Sequence, residues 1–229
     1  MSESHIVQVA PQRLAGWLDG FGHRHPNPVV AVEPDSVLLA SPDGAEARIE
    51  IGWGALVGND PLAELVAQVN RPRRIGALLL RRSAHAVGIF AGTDLVSHSI
   101  GRHYVQGRTK AGGWSQQRYA RRRENQADKA FAKATQAAES LLVGEAAGLD
   151  ALILGGDGRA LATVLAQPAL APLRAVLDRH PHGVLPVPDP NLKVLRDALP
   201  SYLAVSIQLN DAARRRSPLA QDDDQPGGD

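Results

Sequence analysis

Residues 75–105 read IGALLLRRSAHAVGIFAGTDLVSHSIGRHYV, and their pattern sets the architecture of the chain. The apolar runs Ile75–Arg81 and Ala86–Ala91 have the length of strands, and Asp94–Val105 continues as a third. Turn-forming residues separate the runs, namely Ser83-Ala84-His85 and Gly92-Thr93-Asp94. Short apolar runs joined by tight turns are typical of antiparallel neighbours. The pattern therefore predicts a three-stranded antiparallel meander.

A long helix and a buried strand are predicted after the meander. Apolar residues recur on one helical face at Ala120, Ala127, Phe131, Ala134, Ala138 and Leu141. Their steps of three, four and seven residues predict a helix over about 115–142. The apolar run Leu149–Leu154 predicts the next strand. Further helices are predicted at 159–165, 170–177 and 192–209, with a strand at 183–187. This alternation indicates an α/β fold with a layered mixed sheet.

The residues before the meander are predicted to form a smaller segment of their own. A short helix is predicted over Val9–Phe21, and three short strands, at 29–32, 37–40 and 47–51, follow it. A second helix over 61–69 leads into a linker. We therefore expect an N-terminal helix and short strands over 1–72, a principal domain over 73–209 and a disordered tail over 210–229. The tail is polar and ends in glycine, which is typical of disorder.

Composition narrows the kinds of chemistry available to the chain. There is no cysteine, which excludes disulfides, thiolate metal sites and cysteine nucleophiles. The eight histidines show no zinc-enzyme spacing, so no metal site is predicted from them. We also expect no other cofactor. The start, MSESHIVQVAPQRL, lacks the basic and apolar regions of a signal peptide, and no apolar stretch approaches a membrane span. We expect a cytoplasmic protein with no membrane partner.

Positive charge is concentrated in Gly101–Gln126, GRHYVQGRTKAGGWSQQRYARRRENQ, although the formal net charge of the chain is only +1. The segment has no acidic residue before Arg123, and its cations are Arg102, Arg108, Lys110, Arg118, Arg121, Arg122 and Arg123. At its centre, Gly112-Gly113 is followed by Trp114, Ser115, Gln116 and Gln117. A flexible loop flanked by cations and tipped by amides suits binding to a polyanion such as RNA.

Simpler interpretations of this segment stay open. Ser115 can serve as a helix N-cap, and the arginines from Arg118 to Arg123 can form a solvated helix face. The glycine turn Gly155–Arg159 is a second candidate site, for binding phosphate. It matches neither the P-loop nor the full dinucleotide-binding motif, so a turn capped by Asp157 is favoured. His23 and His25 are candidate phosphate contacts, although structural or solvated roles are favoured for both.

The run Gly112–Arg123 resembles the catalytic middle domain of archaeal and eukaryotic class I peptide-release factors. There, a Gly-Gly-Gln loop leads into a long helix with the pattern Arg-aromatic-Ala-Arg-x-Arg, which Arg118–Arg123 reproduces as RYARRR. The resemblance extends over most of residues 75–209. Trp114 stands where the glutamine of that family is expected, and Gln116 follows two residues later.

This Gly-x-x-Gln arrangement is similar to that of the Vms-like release factors of ribosome quality control. The chain most resembles their actinobacterial branch of predicted peptidyl-tRNA hydrolases. Residues near the N-terminus also resemble that branch, namely Arg13-Leu14, Trp17-Leu18, Gly20-Phe21 and Arg24-His25. The resemblance implies a release-factor middle-domain-like (RNase H-like) fold with the long helix after the catalytic loop, which makes 73–209 the catalytic domain.

The same resemblance implies a codon-independent hydrolase that releases nascent chains from stalled large ribosomal subunits. Gln116 is the implied working residue, with Gln117 as the alternative, and Gly112 and Gly113 let the loop reach its target. The cations named above would contact RNA phosphate, and Trp114 would stack on a base or pack beneath the loop. The expected partners are the large subunit, its ribosomal RNA and the CCA end of peptidyl-tRNA.

Two other functions fit the same residues. One is an endonuclease that cleaves the tRNA near its 3′ end. The other is a non-catalytic factor that occupies the tRNA site of dormant ribosomes, which the displaced glutamine would permit.

Overall fold

The computed structural model describes residues 5–102 and 129–214. Its strands are β1 (His5–Val9), β2 (Val29–Val32), β3 (Ser36–Ala40), β4 (Glu46–Glu50), β5 (Arg74–Arg81), β6 (Ala84–Ala91), β7 (Asp94–Arg102), β8 (Ala151–Gly156) and β9 (Val205–Leu209). Its helices are α1 (Leu14–Arg24), α2 (Pro61–Asn70), α3 (residues 129–138 with a π-helical turn, Glu139–Val143), α4 (Gly158–Leu165), α5 (Ala171–Arg179), α6 (Leu192–Leu203) and α7 (Asp211–Arg214).

The chain divides into two compact units. The first contains the described residues within Met1–Arg71 and Leu203–Asp229, and the second contains those within Pro72–Tyr202. Both combine a sheet with helices, so the predicted mixed α/β class is confirmed. The predicted disordered tail over 210–229 begins instead with helix α7, and the rest of that tail lies outside the described residues.

An antiparallel five-stranded sheet in the order β1-β9-β4-β3-β2 forms the centre of the first unit. Buried and more exposed residues alternate along β4, in which Ala47 and Ile49 are buried. Helices α1 and α2 contribute Phe21 and Leu65 to the same core. Helix α2 begins sharply because the Asp60 side chain accepts hydrogen bonds from two backbone N–H groups of its first turn.

The predicted helix over 192–209 is wrong at its C-terminal end. Helix α6 ends at Leu203, and β9 then pairs with β1 from Val9↔Val205 to His5↔Leu209. In β9, Val205 and Ile207 are buried, so this short stretch has a period of two residues. Strand β9 therefore belongs to the N-terminal sheet, although we expected it with residues 73–209. The helix expected to start at Val9 is also shorter, because residues 5–9 form strand β1.

The second unit contains a four-stranded sheet in the order β7-β6-β5-β8. Strands β5, β6 and β7 form the predicted antiparallel meander, and β8 pairs parallel to β5. The second strand begins at Ala84, so part of the predicted turn belongs to β6. The expected strand over 183–187 is reduced to one bridge, between Gly155 and Leu185.

Helices cover both faces of this sheet. Helices α3, α4 and α5 share one core with Leu78, Leu80 and Val87. Gly88 points to the opposite face, where a Cβ atom would lie 2.9 Å from the Leu195 side chain of α6. The long helix ends at Val143, one residue beyond the prediction, and its predicted start lies outside the described residues.

No single helix in residues 5–102 and 129–214 is long and apolar enough to cross a membrane. One pair bent by 93°, Gly158–Leu165 with Pro168–Arg179, meets that criterion by length and composition only.

Candidate functional site

Most of the predicted site lies outside the described residues. This holds for Arg108, Lys110, Gly112, Gly113, Trp114, Gln116, Gln117, Arg118, Arg121, Arg122 and Arg123. Arg102 is described, and it is the exposed last residue of β7. Arg102 is also the last described residue before the predicted loop.

Strands β5, β7 and β8 all end at one edge of the second sheet, which we call the carboxyl edge. They do so because β5 is parallel to β8, while β5 and β7 are both antiparallel to β6. In the last row, Arg81 pairs with Ala84 and Ala84 pairs with Arg102. Leu80 pairs with Gly156 one row earlier. Arg102, the last described residue before the predicted loop, and the glycine turn thus lie at the same edge.

The carboxyl edge carries exposed positive charge. Its arginines are Arg81, Arg82, Arg102 and Arg159, all of them exposed. The Arg81 Nη1 atom donates to the Val187 carbonyl oxygen at 2.9 Å, and its Nε atom lies 4.0 Å from Asp189 Oδ1. These two contacts hold the Arg81 side chain in place. The four arginines together favour an anionic partner.

The glycine turn at this edge is structural. Gly156 has a φ of +103°, and a Cβ atom there would lie well inside contact distance of the Leu80 carbonyl oxygen. Asp157 caps α4, since its Oδ1 atom accepts from the N–H groups of Arg159 and Ala160 at 3.0 and 3.2 Å. The carboxylate thereby occupies the position that a phosphate would need, so the favoured interpretation as a capped turn is confirmed.

A buried histidine lies next to the C-terminal end of β7. His85 is only 4% exposed and pairs with Gly101 across the β6–β7 ladder. A Cβ atom on Gly101 would lie 2.7 Å from the ring Nε2 atom and 2.9 Å from Nδ1. The sequence predicts a turn at Ser83-Ala84-His85, whereas His85 lies within β6. Its alternation with Val87 and Ile89 was the signal for an inward-facing strand position.

His23 and His25 do not form a shared phosphate site. His25 is buried, and its Nδ1 atom lies 2.7 Å from Asp43 Oδ2. That hydrogen bond holds the pKa of Asp43 below its usual value. The Ser41 hydroxyl donates to the His25 carbonyl oxygen at 3.0 Å. The favoured structural role of His25 is thus confirmed. The Nδ1 atom of His23 lies 3.0 Å from the carbonyl oxygen of Asp19, in the same helix.

A second group of histidines lies elsewhere in the second unit. The ring centroid of His182 lies 4.8 Å from that of His180 and 4.5 Å from that of Tyr202. Burial, followed by the positive charges of His182 and Arg73, lowers the pKa of His180 to about 4. Burial also raises the pKa of Tyr202. Across the described residues, no group of three or more histidines and carboxylates is arranged to hold a metal ion.

The His180 ring is expected to make the protein less stable in acid. Its pKa is about 4 in the folded state against 6.5 as the ordinary value, so the unfolded chain binds more protons between these pH values. Stability is therefore fully present above pH 6.5 and is lost as the pH falls toward 4. Because water screens the half-buried ring, we expect His180 to lower the free energy of unfolding in acid by only about 1 kcal/mol. His180→Gln should abolish this decrease.

Urea unfolding at about pH 7 and about pH 4.5 measures this effect, with His23→Gln as the exposed control. Equal losses in the wild type and in His180→Gln would contradict the prediction.

Known proteins resemble this chain in sequence or in structure. A family model described as acVLRF1, Actinobacteria/chloroflexi VLRF1 release factor, matches residues 73–208, which is more than half of the chain. The crystal structure of the archaeal translation termination factor aRF1 is similar at 16% identity, covering 83% of this chain and 69% of that chain, with a TM-score of 0.41. A structure described as an archaeal protein is similar at 19% identity, covering 70% of this chain and 48% of that one, with a TM-score of 0.38. No curated protein matches the sequence.

Proposed function

Because the chain belongs to the Actinobacteria/chloroflexi VLRF1 release factor family, we propose that it is a codon-independent peptidyl-tRNA hydrolase acting on stalled large ribosomal subunits. The observation that carries the proposal is the family match over residues 73–208. That range includes β7, the basic segment with its Gly-x-x-Gln sequence, and α3. The proposed activity is therefore a specific form of the release-factor role of the family.

The proposed reaction hydrolyses the ester between the nascent chain and the terminal ribose of the tRNA. Water adds to the carbonyl carbon, the bond from that carbon to the ribose oxygen breaks, and the ribose oxygen takes up a proton. The products are a peptide with a free carboxyl group and a tRNA with an intact CCA end. Catalysis needs a positioned water and donors for the negative charge on the carbonyl oxygen.

Gln116 is the proposed working residue, and Gln117 is its alternative. A carboxamide does not titrate near neutral pH, so glutamine cannot serve as a general base. Its N–H groups and carbonyl oxygen can instead orient the water and the departing ribose oxygen in a site built largely by ribosomal RNA. Gly112 and Gly113 would allow the segment to enter that crowded centre.

The carboxyl edge supports this proposal through its charge. Arg82, Arg102 and Arg159 are exposed at this edge, and Arg102 is the last described residue before the glycine pair. Phosphate groups of tRNA or ribosomal RNA are the anions that such a surface would meet on a ribosome. Each phosphate contact releases counterions, so binding should weaken steeply as salt is added.

The test is release of labelled nascent peptide from stalled complexes of the large subunit with peptidyl-tRNA, with no stop codon present. We expect the protein to release the peptide and to leave tRNA that ends in CCA, as read by sequencing the tRNA. A shortened 3′ end would indicate the endonuclease instead. Tight binding to empty ribosomes without any release would indicate the dormancy factor.

A further inference from the structure

We propose that the loop between β4 and α2 docks onto a protein partner, and that Val57 enters an apolar pocket of that partner which is bordered by lysine or arginine. We call residues 52–58 the apolar loop, because they read GWGALVG and carry no charge. The proposed function enters only through the partner, which it makes a protein of the large ribosomal subunit.

The Val57 side chain is 87% exposed to solvent. The residue before it, Leu56, packs against the core of the first unit, so neighbouring side chains of the loop have opposite environments. A single exposed valine is ordinary on a protein surface. What distinguishes Val57 is that the backbone on which it stands is held by the neighbouring helix.

The Glu64 side chain of helix α2 holds the part of the loop that carries Val57. One carboxylate oxygen accepts a hydrogen bond from the Val57 backbone N–H at 3.0 Å, and the other accepts from the N–H of Gly58. The helix is itself fixed, since Asp60 caps its first turn and Leu65 is fully buried. Val57 is therefore presented by a backbone that is tied to the core through α2.

The Gln68 side chain, about one turn further along α2, holds the start of the loop. Its Nε2 atom donates to the carbonyl oxygens of Trp53 and Gly54 at 3.3 and 3.1 Å. Residues four apart lie on the same face of a helix, so Glu64 and Gln68 clamp the two ends of the apolar loop. A loop that is already ordered loses little conformational entropy when a partner binds, and this favours affinity.

The charges of this stretch select the kind of partner. No lysine or arginine occurs between Arg48 and Arg71, whereas Glu50, Asp60 and Glu64 are acidic. Like charges that meet across an interface oppose binding, so the phosphates of RNA are poor partners for this surface. An apolar pocket with cations at its border is complementary both to the valine and to the carboxylates. On the large subunit, a protein and not ribosomal RNA fits this description.

The experiment changes the charge at position 57 and leaves the loop backbone intact. Val57→Lys and Val57→Asp are compared with Val29→Lys and Val29→Asp in their affinity for stalled large subunits that carry peptidyl-tRNA. Val29 is 68% exposed and points away from the core that contains α2, because its neighbour Val30 packs against that core. All four variants alter exposed side chains, so their urea unfolding should match that of the wild type.

We expect both Val57 variants to bind at least about tenfold more weakly than the wild type. Val57→Lys should bind more weakly than Val57→Asp, because cations border the pocket, whereas an RNA partner would reverse this order. The Val29 variants should stay within about twofold of the wild type. Unchanged affinity of the Val57 variants overturns the inference, and so does the reversed order.

A photo-crosslink identifies the class of partner directly. Benzoylphenylalanine in place of Val57 should crosslink to a subunit protein, giving a product that protease degrades and ribonuclease leaves intact. The same group in place of Val29 is the control and should give no such product. A crosslink from position 57 to RNA, or none to protein, overturns the inference.

Peptide release, measured on the same complexes, separates this inference from the proposed function. If Val57 governs binding as expected but the wild type releases no peptide, the loop docks as inferred and the proposed hydrolase activity fails. If the wild type releases peptide and the Val57 variants bind as tightly as it does, the docking inference alone fails. A wild type that does not bind the subunit overturns both.

Discussion

Peptide release from stalled complexes is expected to slow by about 100-fold or more when Gln116 and Gln117 are both replaced by alanine, because misplacing reacting groups by about 1 Å can cost about 100-fold in rate. The double variant loses the proposed placement of water and leaving oxygen but keeps every arginine of the segment. Its affinity for the large subunit should therefore stay close to that of the wild type.

Single-turnover release with labelled peptidyl-tRNA measures this loss, and a subunit-binding assay measures the affinity. Gln106→Ala is a matched control, because it removes the same group from the same basic segment away from the glycine pair. The single variants Gln116→Ala and Gln117→Ala show which carboxamide acts. Full activity in the double variant would remove the basis of the proposed mechanism.

The second large effect is on stability, and it concerns Gly156. Gly156→Ala is expected to lower the free energy of unfolding by about 3 kcal/mol, because it combines backbone strain with a steric overlap. The φ of +103° disfavours any side chain, and the new methyl group would collide with the Leu80 carbonyl oxygen. That oxygen also accepts a hydrogen bond from the Asp157 N–H at 2.8 Å. Any shift of Leu80 that relieves the collision would therefore disturb the end of the β5–β8 ladder.

Gly158→Ala is the control for this measurement. A Cβ atom on Gly158 meets no atom within 4 Å, and the residue begins helix α4. Alanine there should change stability by less than about 1 kcal/mol, because it favours the helix without a clash. Urea unfolding of both variants checks the pair of values. Similar stabilities for the two would show that the turn tolerates a side chain at position 156.

The meander and the glycine turn could be predicted from the sequence because their signals are local. The apolar runs in Ile75–Arg81 and Ala86–Ala91 predict strands by their length, and Asp157 after two glycines predicts a capped turn. The pairing of β1 with β9 had no such signal. Val9 and Val205 lie far apart in the chain, so neither run indicates its partner. The roles of Gln116, Gln117 and the arginines beyond Arg102 stay predictions.

Spacing and residue type were enough to establish the α/β class, the release-factor resemblance and the basic segment with its glutamines, since each is written in consecutive residues. The position of His85 under Gly101 and the meeting of Arg81, Arg102 and Gly156 at one edge came from folding in three dimensions. Strand pairing brings distant residues into one row, and the register of that row depends on how both faces of the sheet are packed.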